Sequence, residues 1–454
     1  MAAKTQEGNP YSLKVTLLVT LDVKNAFNSV RWSDVLKAID GFRLPQYLIQ
    51  IIRSYLSQRT LQYDTKEGTQ ERDLTAGIAQ GSILGPDLWN ITYDSILRLD
   101  MPEDTKLIGY ADDIALVIVG RNAEMAQTAL NIAMRRIRGW MNDHSLSLAD
   151  QKTEIVVLTR KKIETIIPFN INHTEITSSR SIKYLGVTID TKLTFWDHIS
   201  KMTEKAAKIT AALSRLMANT KGPSECKRRL LMTTVHSILL YGAEIWARSL
   251  TMGKYRRRLE AVQRRGALRI ACSYRTVSHP AVILVASVPP IDLLALERQQ
   301  VWRTRDELGG SKAKEVARRD LLEKWQHRWS GDERGRWTAR LIPRVKEWYE
   351  RKHGEVNYYL TQFLTGHGNF RAYLHRMGKV EDPGCVYCGE CPDNAAHTFF
   401  ECERWQSERE ALETQIGSPI SPDNIVGMMT NSKEHWQRIA TFVEYVLRTK
   451  KREG

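Results

Sequence analysis

The chain has 454 residues, enough for about three domains of ordinary size and for a large buried core. With 42% hydrophobic and 26% charged residues, its composition is that of a globular protein and excludes a fibre or a disordered tail. No apolar run approaches the roughly 20 residues of a membrane span, and the first ten residues lack the apolar core of a signal peptide. We therefore expect neither secretion nor a membrane partner.

Charge is distributed unevenly along the chain. Residues 1–190 contain 22 basic and 22 acidic residues, so the net charge of +15 comes entirely from residues 191–454. A neutral first part followed by a basic second part indicates a catalytic core joined to a region that holds a polyanion, with nucleic acid as the default partner. A basic helical region that is merely well solvated is the alternative on charge alone.

Apolar periodicity predicts strands and helices in mixed order up to residue 190 and helices beyond it. In chain order we expect a strand over 15–22, a helix with Ser33 as its N-cap, a helix over 46–56, a hairpin over 60–64 and 72–76, a helix beginning near Pro86, a strand, tight turn and strand over 107–119, a helix over 123–144, and strands over 153–159 and 182–189. Further helices are predicted over 197–219, 225–248, 254–272, within 296–353 and over 433–450. The irregular order indicates an α+β fold.

Three acidic residues interrupt the apolar strands. Asp22 ends an apolar run, and Asp112-Asp113 lie between two apolar segments. Buried carboxylates without partners are costly, and bound cations are the simplest compensation. Adjacent aspartates at a hairpin tip, with a third on a neighbouring strand, suit Mg²⁺, and two such ions about 4 Å apart can carry out nucleotidyl transfer. An ordinary polar turn at Asp112-Asp113 is the alternative.

Five segments in this part resemble the motifs of a known family. They are residues 21–28 (LDVKNAFN), 80–86 (QGSILGP), 110–113 (YADD), 140–158 with Lys152-Thr153-Glu154, and 184–186 (YLG). In this order they are similar to the motifs of reverse transcriptases, whose YxDD box matches residues 110–113. The style is that of LINE-type, non-LTR retrotransposons, in particular insect elements that insert into ribosomal RNA genes.

The resemblance implies an RNA-directed DNA polymerase, a nucleotidyltransferase that uses an RNA template, a DNA primer and dNTPs. It also implies a palm with an RRM-like antiparallel sheet. Asp22, Asp112 and Asp113 would be the catalytic residues and would bind two Mg²⁺ ions, with the Val23 carbonyl as a further ligand. The substrate would be bound by Phe27, Gln80, Gly81 and Lys152. Phe27 matches the ring that excludes ribonucleotides, and Lys152 would neutralise or protonate the departing pyrophosphate. An ordinary core phenylalanine and a solvated lysine are the alternatives at these two positions.

The chain begins 21 residues before Asp22, so we expect the fingers and the endonuclease of such elements to lie upstream in the same polyprotein. The expected primer is a nicked strand of chromosomal target DNA, which places the reaction in the nucleus after synthesis in the cytoplasm. A truncated remnant that only binds nucleic acid is one alternative. An RNA-templated RNA polymerase is another, although Phe27 and the QGSILGP segment argue against it.

Residues 254–275 carry eight basic residues against the single acid Glu260. Four apolar residues and a glycine recur there at helical spacing, and we expect them to form the buried stripe of a helix: Tyr255, Leu259, Val262, Gly266 and Ile270. The candidates for nucleic-acid binding share another face: Lys254, Arg258, Arg265 and Arg269. A row of guanidinium groups matches phosphates bidentately and follows a duplex backbone without reading its sequence. A solvated surface helix is the alternative.

Four of the six cysteines crowd into residues 385–402, which favours a metal in a reducing compartment over a disulfide scaffold. The spacing Cys385-x2-Cys388-x8-His397-x4-Cys402 provides three thiolates and an imidazole that can close a tetrahedral Zn²⁺ site. Cys391 leaves a choice, because Cys388-x2-Cys391 is also a valid pair. The C-terminal cysteine–histidine motif of the same retroelements favours Cys385 with Cys388.

The sequence thus predicts an α+β palm followed by helical, basic regions and a small zinc-binding module. The expected boundaries are 1–190 for a palm with truncated fingers, 191–300 for a helical basic thumb, 301–365 for a helical connector, and 366–454 for a zinc-binding region that contacts nucleic acid.

Overall fold

A computed structural model of the chain describes four stretches, residues 14–79, 81–171, 174–389 and 391–453. The chain divides into two compact units, Met1–Asp197 and His198–Gly454. This division lies close to the predicted end of the palm at residue 190. The predicted boundaries at 300 and 365 stay predictions.

The first unit is built around an antiparallel sheet. The described strands of the unit are β1 (Val15–Asp22), β2 (Thr60–Thr65), β3 (Gly68–Asp73), β4 (Thr105–Tyr110), β5 (Asp113–Gly120), β6 (Glu154–Leu158), β7 (Pro168–Ile171), β8 (Thr174–Thr177), β9 (Ser181–Tyr184) and β10 (Val187–Asp190). Four of them form the main sheet in the order β4-β5-β1-β6, and the other six form three hairpins. Alternate residues of β1 point to opposite faces, so Leu17, Val19 and Leu21 enter the larger core while Leu18 enters a smaller one.

Helices cover the larger core of this unit. They are α1 (Ala26–Ser29), α2 (Trp32–Asp40), α3 (Gln46–Tyr55), α4 (Gly85–Leu97) and α5 (Ala123–Asp143). The apolar side of α5, including Leu130 and Ile137, is fully buried in the same core as β1. Strands and helices in mixed order confirm the predicted α+β class.

Three local predictions for the first unit were wrong. Helix α2 begins at Trp32 rather than after a Ser33 N-cap, because Trp32 is anchored by its indole N–H, which donates to the Gly77 carbonyl at 2.9 Å. The single strand predicted over 182–189 is the hairpin β9–β10, since Leu185 and Gly186 adopt φ angles of 45° and 81° and turn the chain. The predicted hairpin over 60–76 has a tighter turn, and β3 ends at Asp73.

The rest of the described chain is mostly helical. The helices are α6 (Trp196–Ser214), α7 (Glu225–Leu239), α8 (Ala243–Trp246), α9 (Gly253–Ile270), α10 (His279–Val285), α11 (Ile291–Leu308), α12 (Gly310–Gly331), α13 (Arg336–Leu341), α14 (Val345–Tyr349), α15 (Tyr358–Thr365), α16 (Arg371–Arg376), α17 (Gln406–Ile416), α18 (Ile425–Asn431) and α19 (Lys433–Glu453). A 3₁₀ turn follows α8 at Ala247–Thr251, and one π-helical turn spans His397–Glu401. The helix predicted over 225–248 is interrupted at Gly242, whose φ of 65° ends α7 and starts α8.

Tryptophans form much of the core of the second unit. Trp246, Trp325, Trp329, Trp348 and Trp405 are all at most 2% exposed. In the described part of the chain, no individual helix combines the length and apolarity of a membrane span. One bent pair, Glu225–Leu239 with Ala243–Thr251, meets that test on length and composition alone.

Candidate active site

The three predicted carboxylates meet at one end of the main sheet. Asp22 is the last residue of β1 and pairs directly with Asp113, the first residue of β5. Asp112 immediately precedes Asp113, in the two-residue turn that joins β4 to β5. Residues directly opposite in an antiparallel pair project to the same side, with Cβ atoms about 4.5–5.5 Å apart. The strand register therefore brings Asp22 and Asp113 together.

Trp89 on α4 holds the turn that carries Asp112. Ala111 adopts a left-handed φ of 53°, which costs a residue with a Cβ roughly 1–2 kcal/mol. The indole N–H of Trp89 donates to the Ala111 carbonyl at 2.9 Å, and its buried ring stacks on those of Phe27 and Tyr93. Trp89 was not predicted as a site residue, although it is an apolar residue of the helix that begins at Gly85-Pro86 and is buried there.

Negative charge accumulates at this end of the sheet. Partial burial, together with the neighbouring Asp112 and Asp22 carboxylates, raises the pKa of Asp113. Burial and the Asp112 carboxylate raise the pKa of Tyr93 far above its ordinary value. Three oxygen donors that repel one another suit a hard divalent cation, because the cation would remove the repulsion. The donor set thus fits the predicted Mg²⁺ ions.

Lys152 supplies a positive charge to the same group. Its ammonium lies 2.7 Å from the Asp22 carboxylate, and this hydrogen bond raises the pKa of Lys152. The backbone fixes the approach, since the Ala149 amide donates to the Asp22 carbonyl at 2.8 Å and the Lys24 amide donates to the Ser147 carbonyl at 2.8 Å. The Lys152 side chain is 65% exposed, as a solvated lysine would be, but solvation alone does not explain the contact with Asp22.

A cavity of about 350 Å³ opens beside these carboxylates. Its lining residues are Asp22, Val23, Lys24, Asn25, Ala26, Phe27, Asn28, Asp112, Ala149, Gln151 and Lys152. The volume lies within the range of small-molecule sites. Asn25 adopts a left-handed φ of 45° at the start of α1, which asparagine tolerates better than most residues. Asn25, Asn28 and Gln151 were not predicted as site residues.

Two further residues were predicted to bind substrate, Gly81 and Gln80, and neither is found among the described residues that line this cavity. Gly81 adopts a φ of 84°, a conformation that favours glycine, and it does not line the cavity. An added Cβ at Gly81 would meet nothing within 4 Å, so its backbone is openly accessible. Gln80 lies outside the described residues.

The predicted basic helix exists as α9, and its apolar stripe is buried as predicted. Lys254 and Arg265 are exposed, whereas Arg258 and Arg269 are half-buried. The Arg258 guanidinium donates to Thr203 at 3.0 Å and forms an ion pair with Glu204 at 2.9 Å. Arg258 therefore also binds neighbouring protein groups rather than facing solvent alone.

The four predicted zinc ligands come together in the second unit. One ligand atom from each of Cys385, Cys388, His397 and Cys402 lies within 4.8 Å of all the others. The Sγ atoms of Cys385 and Cys402 are 3.8 Å apart, and the Cys388 Sγ lies 3.2 Å from the His397 Nε2. Cys391 is exposed and is not a member of the group. Three thiols and an imidazole this close fit a tetrahedral zinc site.

Groups around these four residues fix their positions. The Cys385 amide donates to the Cys391 carbonyl at 2.9 Å, and the Gly389 amide donates to the Cys385 carbonyl at 2.9 Å, which closes the loop between the first two cysteines. The other ring nitrogen of His397, Nδ1, lies 3.7 Å from a Glu401 carboxylate oxygen, within the same π-helical turn. At this distance Nδ1 has no hydrogen-bond partner in the described chain, and His397 is held instead through its backbone amide, which donates to the Asn394 side-chain oxygen at 2.9 Å.

Comparison with known proteins shows what the part of the chain that carries the carboxylates is similar to. Residues 6–189 match the model of the family described as reverse transcriptase (RNA-dependent DNA polymerase). The chain is 27% identical over 444 residues to the 115 kDa protein of the type-1 retrotransposable element R1DM of Drosophila melanogaster, covering 94% of this chain and 43% of that protein. It is 27% identical to a retrovirus-related Pol polyprotein from the type-1 element R1 2 of Nasonia vitripennis, covering 75% of this chain and 88% of that protein.

A telomerase from Candida tropicalis, solved with a fragment of telomeric RNA, covers 70% of this chain and 51% of its own at 13% identity. Its TM-score of 0.33 is too low to establish a shared fold. The chain spans less than half of the length of the R1DM protein, since the alignment covers only 43% of that protein.

Proposed function

We propose that this chain, whose residues 6–189 match the reverse transcriptase family, is the polymerase part of an R1-like non-LTR retrotransposon and copies RNA into DNA. The observation that carries the proposal is the register of β1 and β5, which sets Asp22 opposite Asp113 beside a cavity of about 350 Å³. The sheet, with α5 on one face and its carboxylates at one end, supports its assignment as the palm.

Asp22, Asp112 and Asp113, with the Val23 carbonyl, would hold two Mg²⁺ ions. When bound, such ions activate the primer 3′-hydroxyl and stabilise the leaving pyrophosphate. The carboxylates keep their places without the ions, because the sheet register fixes Asp22 and Asp113 and the Trp89 hydrogen bond fixes the turn before Asp112. Preorganisation of this kind is what makes a charged site effective.

Other residues of the cavity would bind and select the nucleotide. The Phe27 ring lines the cavity and is held by its stack on Trp89, with ring centroids 4.9 Å apart. A rigid ring at this position would leave no room for a ribose 2′-hydroxyl, so the site would favour dNTPs. The Lys152 ammonium lines the same cavity and would interact with the negative charge of the triphosphate and the departing pyrophosphate.

The second unit would supply nucleic-acid binding. Its basic helix α9 would contact the template–primer duplex through Lys254, Arg258, Arg265 and Arg269, and its zinc-type site would hold the fold of the last part of the chain. We propose a nicked chromosomal strand as the primer, fingers and endonuclease from the same polyprotein as partners, and the nucleus as the place of the reaction.

Nucleotide incorporation and nucleic-acid binding, measured side by side, test the proposal. In the complete polyprotein, we expect Mg²⁺-dependent incorporation of dTTP on poly(rA)/oligo(dT), and filter binding of the same substrate. Binding with no incorporation, with or without Mg²⁺, would instead identify a remnant that only binds nucleic acid. Preferential incorporation of UTP over dTTP would identify an RNA-templated RNA polymerase.

A further inference from the structure

A second cavity, of about 740 Å³, lies within the second unit. Its walls come from α9, α10, the end of α12 and the loop after α12. The four residues of α9 predicted to contact phosphate do not line it. The volume is that of a site for a ligand of nucleotide size.

Arginines dominate the polar lining of this cavity: Arg256, Arg257, Arg264, Arg328 and Arg334. Three of them are paired with carboxylates. Arg256 lies 3.5 Å from Glu260, Arg328 lies 2.7 Å from Asp292, and Arg334 lies 2.9 Å from Asp332. The lining and its ion-pair partners therefore keep a surplus of two positive charges.

The surplus resides on Arg257 and Arg264. The Arg264 guanidinium donates to the carbonyls of Arg275 and Val277 at 2.6 and 2.7 Å, which orients it without neutralising it. Among the residues that the structure describes, no carboxylate oxygen lies within 4 Å of Arg257. His279 lines the same cavity, and its Nε2 is buried without a hydrogen-bond partner in the described chain. Two guanidinium groups without a carboxylate partner are thus available to an anion.

Apolar residues also line the cavity. Pro280, Ile283, Pro290, Trp325 and Trp329 line it, and both tryptophans are only 2% exposed. Apolar side chains together with unpaired guanidinium groups suit a nucleotide, whose base has an apolar face and whose phosphate binds arginine bidentately.

We propose that this cavity binds the sugar–phosphate backbone of a nucleic-acid strand, with phosphate at Arg257 and Arg264 and a sugar or base beside the apolar lining residues. The inference rests on the proposed function and adds to it a binding site separate from the predicted face of α9. The shared chemistry is a phosphodiester, which RNA and DNA both provide.

Two substitutions and a matched control test the site. Arg257→Glu reverses a charge of the lining, and Ala261→Trp fills the cavity from an exposed position of α9 without changing charge. The control is Arg319→Glu on α12, which makes the same charge change at an exposed arginine outside the lining. Affinity is measured on the whole chain, at one salt concentration, by fluorescence anisotropy with single-stranded RNA and single-stranded DNA of the same sequence.

We expect Arg257→Glu and Ala261→Trp each to weaken binding about tenfold, and Arg319→Glu to change it by less than about twofold. A loss confined to RNA or to DNA would identify the source of the phosphate. Equal losses for the two arginine variants, or unchanged binding by Ala261→Trp, would overturn the proposal, since bulk charge alone would then explain binding. Failure of the proposed function is a separate result, seen as absent dNTP incorporation by the unaltered polyprotein.

Discussion

The carboxylate site of the first unit and the cysteine–histidine site of the second are built in opposite ways. Strand register sets Asp22 opposite Asp113, and the carboxylates remain accessible beside an open cavity. At the second site, Cys385 and Cys402 are only 4% and 1% exposed, and two loops and a π-helical turn supply the ligands. An open set of oxygen ligands leaves room for substrate, whereas four closed ligands of this type hold structure. The difference fits the proposed chemistry in the first unit and a stabilising role in the second.

A further contrast concerns the groups that support each site. The carboxylates of the first unit meet Lys152, which stays 65% exposed. Near the second site, Lys450 of α19 forms an ion pair with Asp393, and their side chains are only 7% and 3% exposed. Because Asp393 lies between Cys391 and His397, this pair ties the last helix to the loop that carries the cysteine–histidine group.

The largest expected effect comes from removing zinc. Cys402→Ser, or a chelator, should remove roughly 10 kcal/mol of metal-binding free energy and unfold the region around residues 385–402. The first unit should keep its sheet, because its core contains none of these ligands. Zinc content and hydrogen exchange measure the two outcomes.

Cys391→Ser is the matched control and should retain zinc, since Cys391 is exposed and outside the ligand group. Purified chain that contains no zinc, and that unfolds identically with and without chelator, would contradict the assignment of the second site.

Lys450→Met should lower the free energy of unfolding of the second unit by about 3–5 kcal/mol, because it leaves Asp393 buried and charged without its partner. Urea unfolding measures the change. Lys451→Met alters the neighbouring exposed lysine and should have little effect. Adding Asp393→Asn to Lys450→Met should restore part of the loss; identical curves for the two lysine variants would show that the pair does not stabilise the unit.

Acid should weaken the second unit through His236 on α7. Burial and the nearby Arg298 lower the pKa of His236 from 6.5 to about 4. Between these two pH values the folded unit keeps His236 neutral while the unfolded chain binds a proton there. The contribution of His236 to the free energy of unfolding is therefore fully present above pH 6.5 and is lost as the pH falls toward 4. The expected loss is roughly 2 kcal/mol by pH 5.

His236→Gln tests this dependence. Acid also releases zinc from thiolates, so the measured quantity is the difference in the slope of unfolding free energy against pH between the two proteins. The variant should show the shallower slope between pH 6.5 and 5, and parallel slopes would contradict the assignment to His236.

The smallest expected effect is a change of selectivity at Phe27. Phe27→Val shortens the ring that lines the cavity and should raise the ratio of UTP to dTTP incorporation about tenfold. The ratio of kcat/KM values for the two nucleotides measures it. Phe169→Val, a change in the buried core away from the cavity, should leave that ratio unchanged; an equal ratio in all three proteins would remove Phe27 from nucleotide selection.

Local patterns predicted much of both sites. The apolar run of β1 and the strand–turn–strand around Asp112 were visible in the sequence, but neither pattern encodes the pairing of the two strands. The spacing of Cys385, Cys388, His397 and Cys402 likewise indicated one ligand set, and the structure brings those four together.

Contacts between distant residues could not be predicted in this way. Lys152 meets Asp22 across 130 positions, and Lys450 meets Asp393 across 57, and no local periodicity encodes such pairs. The hairpin at Leu185-Gly186 was missed for a different reason, since a turn within an apolar run leaves the strand pattern on both sides unchanged. The arginine-lined cavity depends on α9, α10 and α12 packing together and has no local signature.

Nucleotide incorporation by Asp112→Asn in the complete polyprotein tests the central claim most directly. The substitution removes one carboxylate charge from the group formed with Asp22 and Asp113 and keeps the shape of the side chain. We expect incorporation of dTTP on poly(rA)/oligo(dT) to fall by about 10²–10³-fold or more, while binding of that substrate persists and Asp104→Asn, an exposed change elsewhere in the first unit, retains activity. Incorporation at the unaltered rate by Asp112→Asn would contradict the account.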